Sequence, residues 1–172
     1  MTLSLCTLAS SIIAAEANGP APAEDRVGFP KEYAKSFEVL RTVIREEGRK
    51  IVTIYGNAPA ASVTKPSDLP YPYGAILVME TASTEQDADG KPLKDANGML
   101  QKKKVLGLHV MRREKGFGSA YEAKRSGEWE FVEYRDDGSY LTPPPKSTAC
   151  SECHIKAGEA KDFVYKGRFA AP

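Results

Sequence analysis

Cys150-Ser151-Glu152-Cys153-His154 places two thiols three residues apart and an imidazole directly after the second. This C-x-x-C-H pattern is the attachment signature of a c-type haem. The thiols add across the two porphyrin vinyl groups, and the two-residue spacer lets both sulfurs reach one porphyrin edge. The adjacent imidazole then binds iron from the proximal side. Cys150, Cys153 and His154 are therefore the expected cofactor-binding residues, and His154 the expected metal ligand. A zinc site would need four ligands, and outside the motif the chain offers only Cys6 and His109. A redox dithiol would need a thioredoxin-like βαβ context, which the sequence lacks.

The iron's other side is less determined. No Met or His follows His154, so a sixth protein ligand would come from upstream: His109, Met79, Met111 or Met99, and after these a lysine. Met79 also reads as a residue filling a gap in the core, and His109 as a structural or surface histidine. A filled sixth position would mean electron transfer; an open one would mean small-ligand binding or chemistry.

The chain has 172 residues, enough for one domain with a sizeable core. Its 24 basic and 23 acidic residues give a net charge of +1, which implies neither a nucleic-acid nor a strongly charged partner. Residues 1–15 carry no charged side chain. The apolar stretch Leu3–Ile13 and the small residues Ala14, Ala15 and Ala17 give residues 1–17 the character of a secretion signal. That stretch is too short to span a bilayer, and Cys6 lacks the small preceding residue of a lipoprotein anchor. Export and haem attachment together point to the periplasm.

Residues 18–28 read as a Pro/Ala/Gly linker before a single haem domain over 29–172. Within it, Pro30 suits a helix start. Tyr33, Phe37, Leu40 and Ile44 form one helical stripe, which Gly48 would end. Lys50–Tyr55, Gly74–Thr81 and Lys102–Arg113 read as strands. Residues 56–73 read as loop, and Ser83–Gln101 as an exposed hairpin extension with Asp89-Gly90 and Asn97-Gly98 turns. Asp87, Asp89 and Asp95 hint at calcium, but their spacing does not complete an EF-hand loop. Residues 128–134 alternate as a strand with one wet face. A short helix should open at Thr148, and residues 162–169 should be extended. The expected fold is α+β: mainly antiparallel sheet, packed with one or two helices around the haem.

Further residues carry a family resemblance: Phe29-Pro30-Lys31-Glu32-Tyr33, Thr53-Ile54-Tyr55-Gly56-Asn57, residues 74–80, Gly127-Glu128-Trp129-Glu130-Phe131, the haem motif and Asp162-Phe163-Val164-Tyr165. In this order the chain resembles the cytochromes c′-β and P-460 from about Phe29 to Phe169. The resemblance implies a mainly antiparallel β fold, often dimeric, with one His-ligated, five-coordinate haem. In P-460 members, hydroxylamine-oxidising enzymes, a lysine is bonded to the porphyrin. Met79 stands at that position here, leaving Lys102, Lys103 and Lys104 as open alternatives. The distal arginine falls at Val52 and the proton-relaying carboxylate near His109. These departures favour the c′-β type, which binds nitric oxide and other small uncharged ligands, although their paired capping phenylalanines have no clear match. Met79, His109 and Val52 are thus the distal-pocket candidates. The partners implied are a small gaseous or nitrogenous ligand and a redox protein. Hydroxylamine oxidation, with His109 as a proton acceptor near neutrality, and low-spin electron transfer are the competing functions.

Overall fold

The computed structural model describes residues 19–165, 167 and 168; the expected secretion signal and Cys6 lie outside them. Six strands form one antiparallel sheet in chain order: β1 Glu38–Arg45, β2 Lys50–Gly56, β3 Ile76–Thr84, β4 Lys102–Arg113, β5 Trp129–Tyr134 and β6 Tyr140–Thr142. Helices are short: α1 Tyr33–Ser36, α2 Ala58–Ala61 and α3 Thr148–Ile155. No helix among the described residues is long and apolar enough to cross a membrane. The fold is the mainly antiparallel α+β architecture read from the sequence.

The expected helix over residues 33–47 is largely strand. Only Tyr33–Ser36 is α-helical, Glu38–Arg45 pairs with β2 along its length, and Glu46–Gly48 is a 3₁₀ turn. Val39, Thr42, Val43 and Ile44 are β-branched, a composition that suits a pleated surface better than a helix. The supposed stripe also breaks: Leu40, at a bulge between Val39 and Arg41, is 8% exposed, whereas Ile44 is 60% exposed.

Both sheet faces are covered. One face carries Val52, Ile54, Leu77, Met111, Trp129 and Phe131 in a single core cluster with Tyr71, Tyr121 and Val164. The other carries Tyr55, Val78, Leu108, Val110, Val132 and Tyr134, closed over by Val27 and Tyr33. The wet face expected of β5 is therefore absent: Glu130 is 1% exposed. The cause lies about a hundred residues upstream. Residues 19–28, expected as a linker, are docked on the domain. Arg26 pairs with Glu130 and lies over the Phe117 ring, and Asp25 accepts a 2.7 Å hydrogen bond from Tyr134 Oη.

Of the expected Ser83–Gln101 extension, Ser83 and Thr84 belong to β3, and the rest is held by the isolated bridges Gln86–Pro92 and Lys94–Leu100. Its aspartates cap their own turns: Asp87 Oδ1 accepts from the Asp89 and Lys91 amides, and Asp95 Oδ1 from those of Asn97 and Met99. The extended segment expected over residues 162–169 does not begin as one: Asp162 and Phe163 form a turn with φ of 47° and 60°.

At one end of the sheet Glu128 accepts from Tyr73 Oη (2.6 Å) and from the Gly116 amide (3.0 Å), with Arg113 alongside. The Tyr73 hydrogen bond leads in holding its pKa below the ordinary value. A depressed carboxylate pKa contributes stability that is complete above the unfolded value of about 4.3 and is lost as pH falls through the folded value. Below about pH 4.3 the thermal midpoint of the native chain should fall more steeply than that of Glu128→Gln. Parallel curves would show that Glu128 contributes nothing to acid sensitivity.

Candidate haem site

Proline-rich residues 143–145 lead through a 3₁₀ turn into α3. One side of this helix is bolted down. Thr148 Oγ1 donates to the Pro20 carbonyl (3.0 Å), Ser151 Oγ donates to the Lys124 carbonyl (2.7 Å), and Ser151 Oγ accepts from the Ser126 amide (3.1 Å). Cys150, Cys153 and His154, spaced i, i+3 and i+4, share another face. That face looks onto a cavity of about 450 Å³ beneath the sheet.

His154 is half-buried. Its Nδ1 donates to the Phe163 carbonyl at 2.7 Å, and Phe131 and Tyr165 flank the ring with centroids 4.6 and 5.7 Å away. This bond fixes the tautomer, so the lone pair resides on Nε2. Burial, the leading influence, pushes the imidazole pKa below its ordinary value and favours the neutral, ligand-competent ring. Both cysteines are free thiols. Burial raises the Cys150 pKa to about 11, which keeps it protonated at neutral pH.

The facing wall is laid out by strand register. Ile54, Met79, His109 and Glu133 are successive partners across β2, β3, β4 and β5, and Leu77, Met111 and Phe131 form the next row. All seven line the cavity. The wall is apolar except at one end. There His109 Nε2 lies 3.1 Å from Glu133 Oε1, and Glu133 Oε2 accepts from Thr142 Oγ1 at 2.8 Å.

Of the residues named from sequence, the structure brings together Cys150, Cys153, His154, Met79, His109 and Met111. Val52 shares their face of the sheet but sits in the core, outside the cavity lining. Met99 is 62% exposed on the hairpin extension. Lys102 is engaged on the opposite sheet face, where Nζ meets Glu80 and the Tyr55 hydroxyl, and Lys103 pairs with Glu85. Sequence reasoning missed Glu133 and the Phe163 carbonyl. Glu133 had a signal, since it stands two residues after Phe131 and so on the same face of a strand. A backbone carbonyl has no side-chain signature.

The donor set fits a c-type haem: two unpaired thiols and an oriented, neutral imidazole converge on one largely apolar cavity. None of the curated proteins compared matches the chain. The family model described as cytochrome P-460 matches residues 30–166, a span holding every strand, the cavity and the C-x-x-C-H helix, and the chain belongs to that family of c-type haem cytochromes.

Proposed function

We propose that this chain is an exported, periplasmic mono-haem cytochrome that binds nitric oxide or a related small nitrogen ligand at an open iron site. The observation that carries the reading is the cavity wall opposite α3, where Ile54, Leu77, Met79 and Met111 present apolar side chains. Cys150 and Cys153 would tether the haem, and His154 would hold its iron through Nε2. When bound, the haem supplies an iron centre that takes up diatomic ligands and exchanges one electron. The Phe163 carbonyl orients the His154 imidazole and raises its donor strength. The apolar wall holds water poorly and favours uncharged ligands. Export is supported by the apolar residues 1–17 and by the thioether chemistry of the motif.

The His109–Glu133 pair supports a second reading, hydroxylamine oxidation, because it places a proton-accepting pair on the same cavity. A third, electron transfer, would use Met79 or His109 as sixth ligand. Absorption and EPR spectra of the ferric and ferrous protein, with and without nitric oxide, separate the three. The expected ferric spectrum is high-spin, unchanged in Met79→Ala and His109→Ala, with a ferrous form that takes up nitric oxide. A low-spin ferric spectrum lost in either variant would make the protein an electron carrier. Steady hydroxylamine turnover with an artificial acceptor, reduced about 10²-fold or more by Glu133→Gln, would make it an oxidase.

A further inference from the structure

The carbonyl that receives His154 Nδ1 belongs to an unusual stretch of backbone. Asp162 (φ 47°, ψ 39°) and Phe163 (φ 60°) are consecutive non-glycine residues in the left-handed region. Asparagine and aspartate visit this region; a bulky aromatic residue seldom does. Such geometry persists only where its surroundings impose it.

Tyr71, Arg113 and Gly127 impose it here. Asp162 Oδ2 accepts from the buried Tyr71 amide at 2.9 Å. Arg113 Nε lies 3.4 Å from the same oxygen, an ion-pair contact without hydrogen-bond alignment, while Arg113 Nη1 donates to the Tyr71 carbonyl at 2.5 Å. Arg113 and Asp162 thus grip Tyr71 from both sides of its backbone. From the other side, Gly127 (φ 62°) leaves room for the Phe163 ring, since a Cβ there would lie 2.8 Å from two of its carbons. The turn is closed by Phe163 N donating to the Gly158 carbonyl (3.0 Å) and Val164 N to that of Lys161 (3.0 Å). None of these side chains reaches the cavity wall opposite His154, and the reading of His154 as iron ligand makes no use of them.

We infer that Asp162, held by Arg113 and the Tyr71 amide, is a positioning residue for His154: it locks the 158–164 turn so that the Phe163 carbonyl accepts the Nδ1 proton, and thereby sets the donor strength of Nε2. The inference rests on the proposal that His154 binds haem iron. A strong acceptor at Nδ1 makes the imidazole a better donor and stabilises the ferric state. Loosening the turn weakens that acceptor and favours the ferrous state.

The test compares holoprotein of the native chain with Asp162→Ala, Asp162→Asn and Gly127→Ala. The last variant reaches the same carbonyl independently, by pushing on the Phe163 ring. Potentiometry and the ferrous iron–histidine stretch in resonance Raman are the readouts. Asp162→Ala should shift the ferric-to-ferrous balance about tenfold toward ferrous, equivalent to ~59 mV for one electron. The stretching frequency should fall. Gly127→Ala should move both readouts in the same direction, and Asp162→Asn, which keeps an acceptor for the Tyr71 amide, by less. Glu80→Gln is the control: its carboxylate lies buried on the opposite sheet face against Tyr33 and Lys102, so it should lower stability and leave the potential unchanged. If the variants carry haem with native potential and stretch, or if Glu80→Gln shifts them equally, the positioning role is wrong. Native protein that carries no haem would remove the ligand reading itself, and this inference with it.

Discussion

Cys150→Ala/Cys153→Ala protein should carry no covalently bound haem, so that its intact mass equals the polypeptide alone, whereas the native protein should retain one haem through denaturation. The argument rests on where the thiols stand. They occupy one face of α3, a turn apart, and both line the same cavity. Alanine is the strongest helix former and brings no polar group to a half-buried position. The helix itself is anchored from other positions, through Thr148 and Ser151. Loss of haem in the double variant would therefore report lost chemistry rather than a lost helix. Each single variant should keep one thioether and hold haem through denaturation. His154→Ala should keep both thioethers and lose the proximal nitrogen, which changes the spectrum without changing the mass increment. The apo double variant should also melt lower, because a tethered haem would be packed against the apolar cavity wall and held by His154 only in the folded state, and that burial is lost without it. A double variant that keeps haem through denaturing extraction would contradict the assignment.

Much of this site is legible in the sequence. The C-x-x-C-H spacing is local, and α3 opens at Thr148 as its flanking prolines suggest. Strand β4 spans Lys102–Arg113 as its residue types indicate, and β2 and β3 follow their β-branched runs. Local pattern fails where distant contacts decide. Tyr33, Phe37, Leu40 and Ile44 fall at helical spacing, yet Leu40 sits on a bulge and its neighbours pair with β2. The β5 alternation reads as half-wet because nothing in residues 128–134 announces that Arg26 will fold back over Glu130. The proximal hydrogen bond is hidden for a different reason. Its acceptor is a main-chain oxygen, aimed by a left-handed pair that only Tyr71, Arg113 and Gly127 explain together. The cavity-wall row Ile54–Met79–His109–Glu133 needed register across four strands, which alternation within any one strand does not give.

Trp129→Ala should produce the largest stability loss of any single substitution outside the haem attachment. Trp129 heads the fully buried side chains by volume and is 0% exposed. It pairs with Arg113 across β4–β5, and its ring meets Tyr71 edge-on at 5.6 Å. Truncating a buried tryptophan to alanine costs about 3–5 kcal/mol, from lost transfer energy and the cavity left behind. That is a large part of the ~5–15 kcal/mol that stabilises a typical domain. At ~2–4 °C per kcal/mol for a chain of this size, the thermal midpoint should drop by roughly 6–20 °C. The loss should also have a redox signature. Tyr71 supplies the amide that holds Asp162, and Trp129 supports both Tyr71 and the strand position facing Arg113. Removing the indole therefore slackens the turn that aims the Phe163 carbonyl, and the potential should rise in the same direction as in Asp162→Ala. Phe131→Leu offers the contrast. Phe131 lies on the same strand and its ring packs tilted against His154 directly, so its substitution disturbs the imidazole by a route separate from the Tyr71–Arg113–Asp162 clamp. If Trp129→Ala melts lower but keeps the native potential, the indole serves the core alone, and the clamp holds its carbonyl without that support.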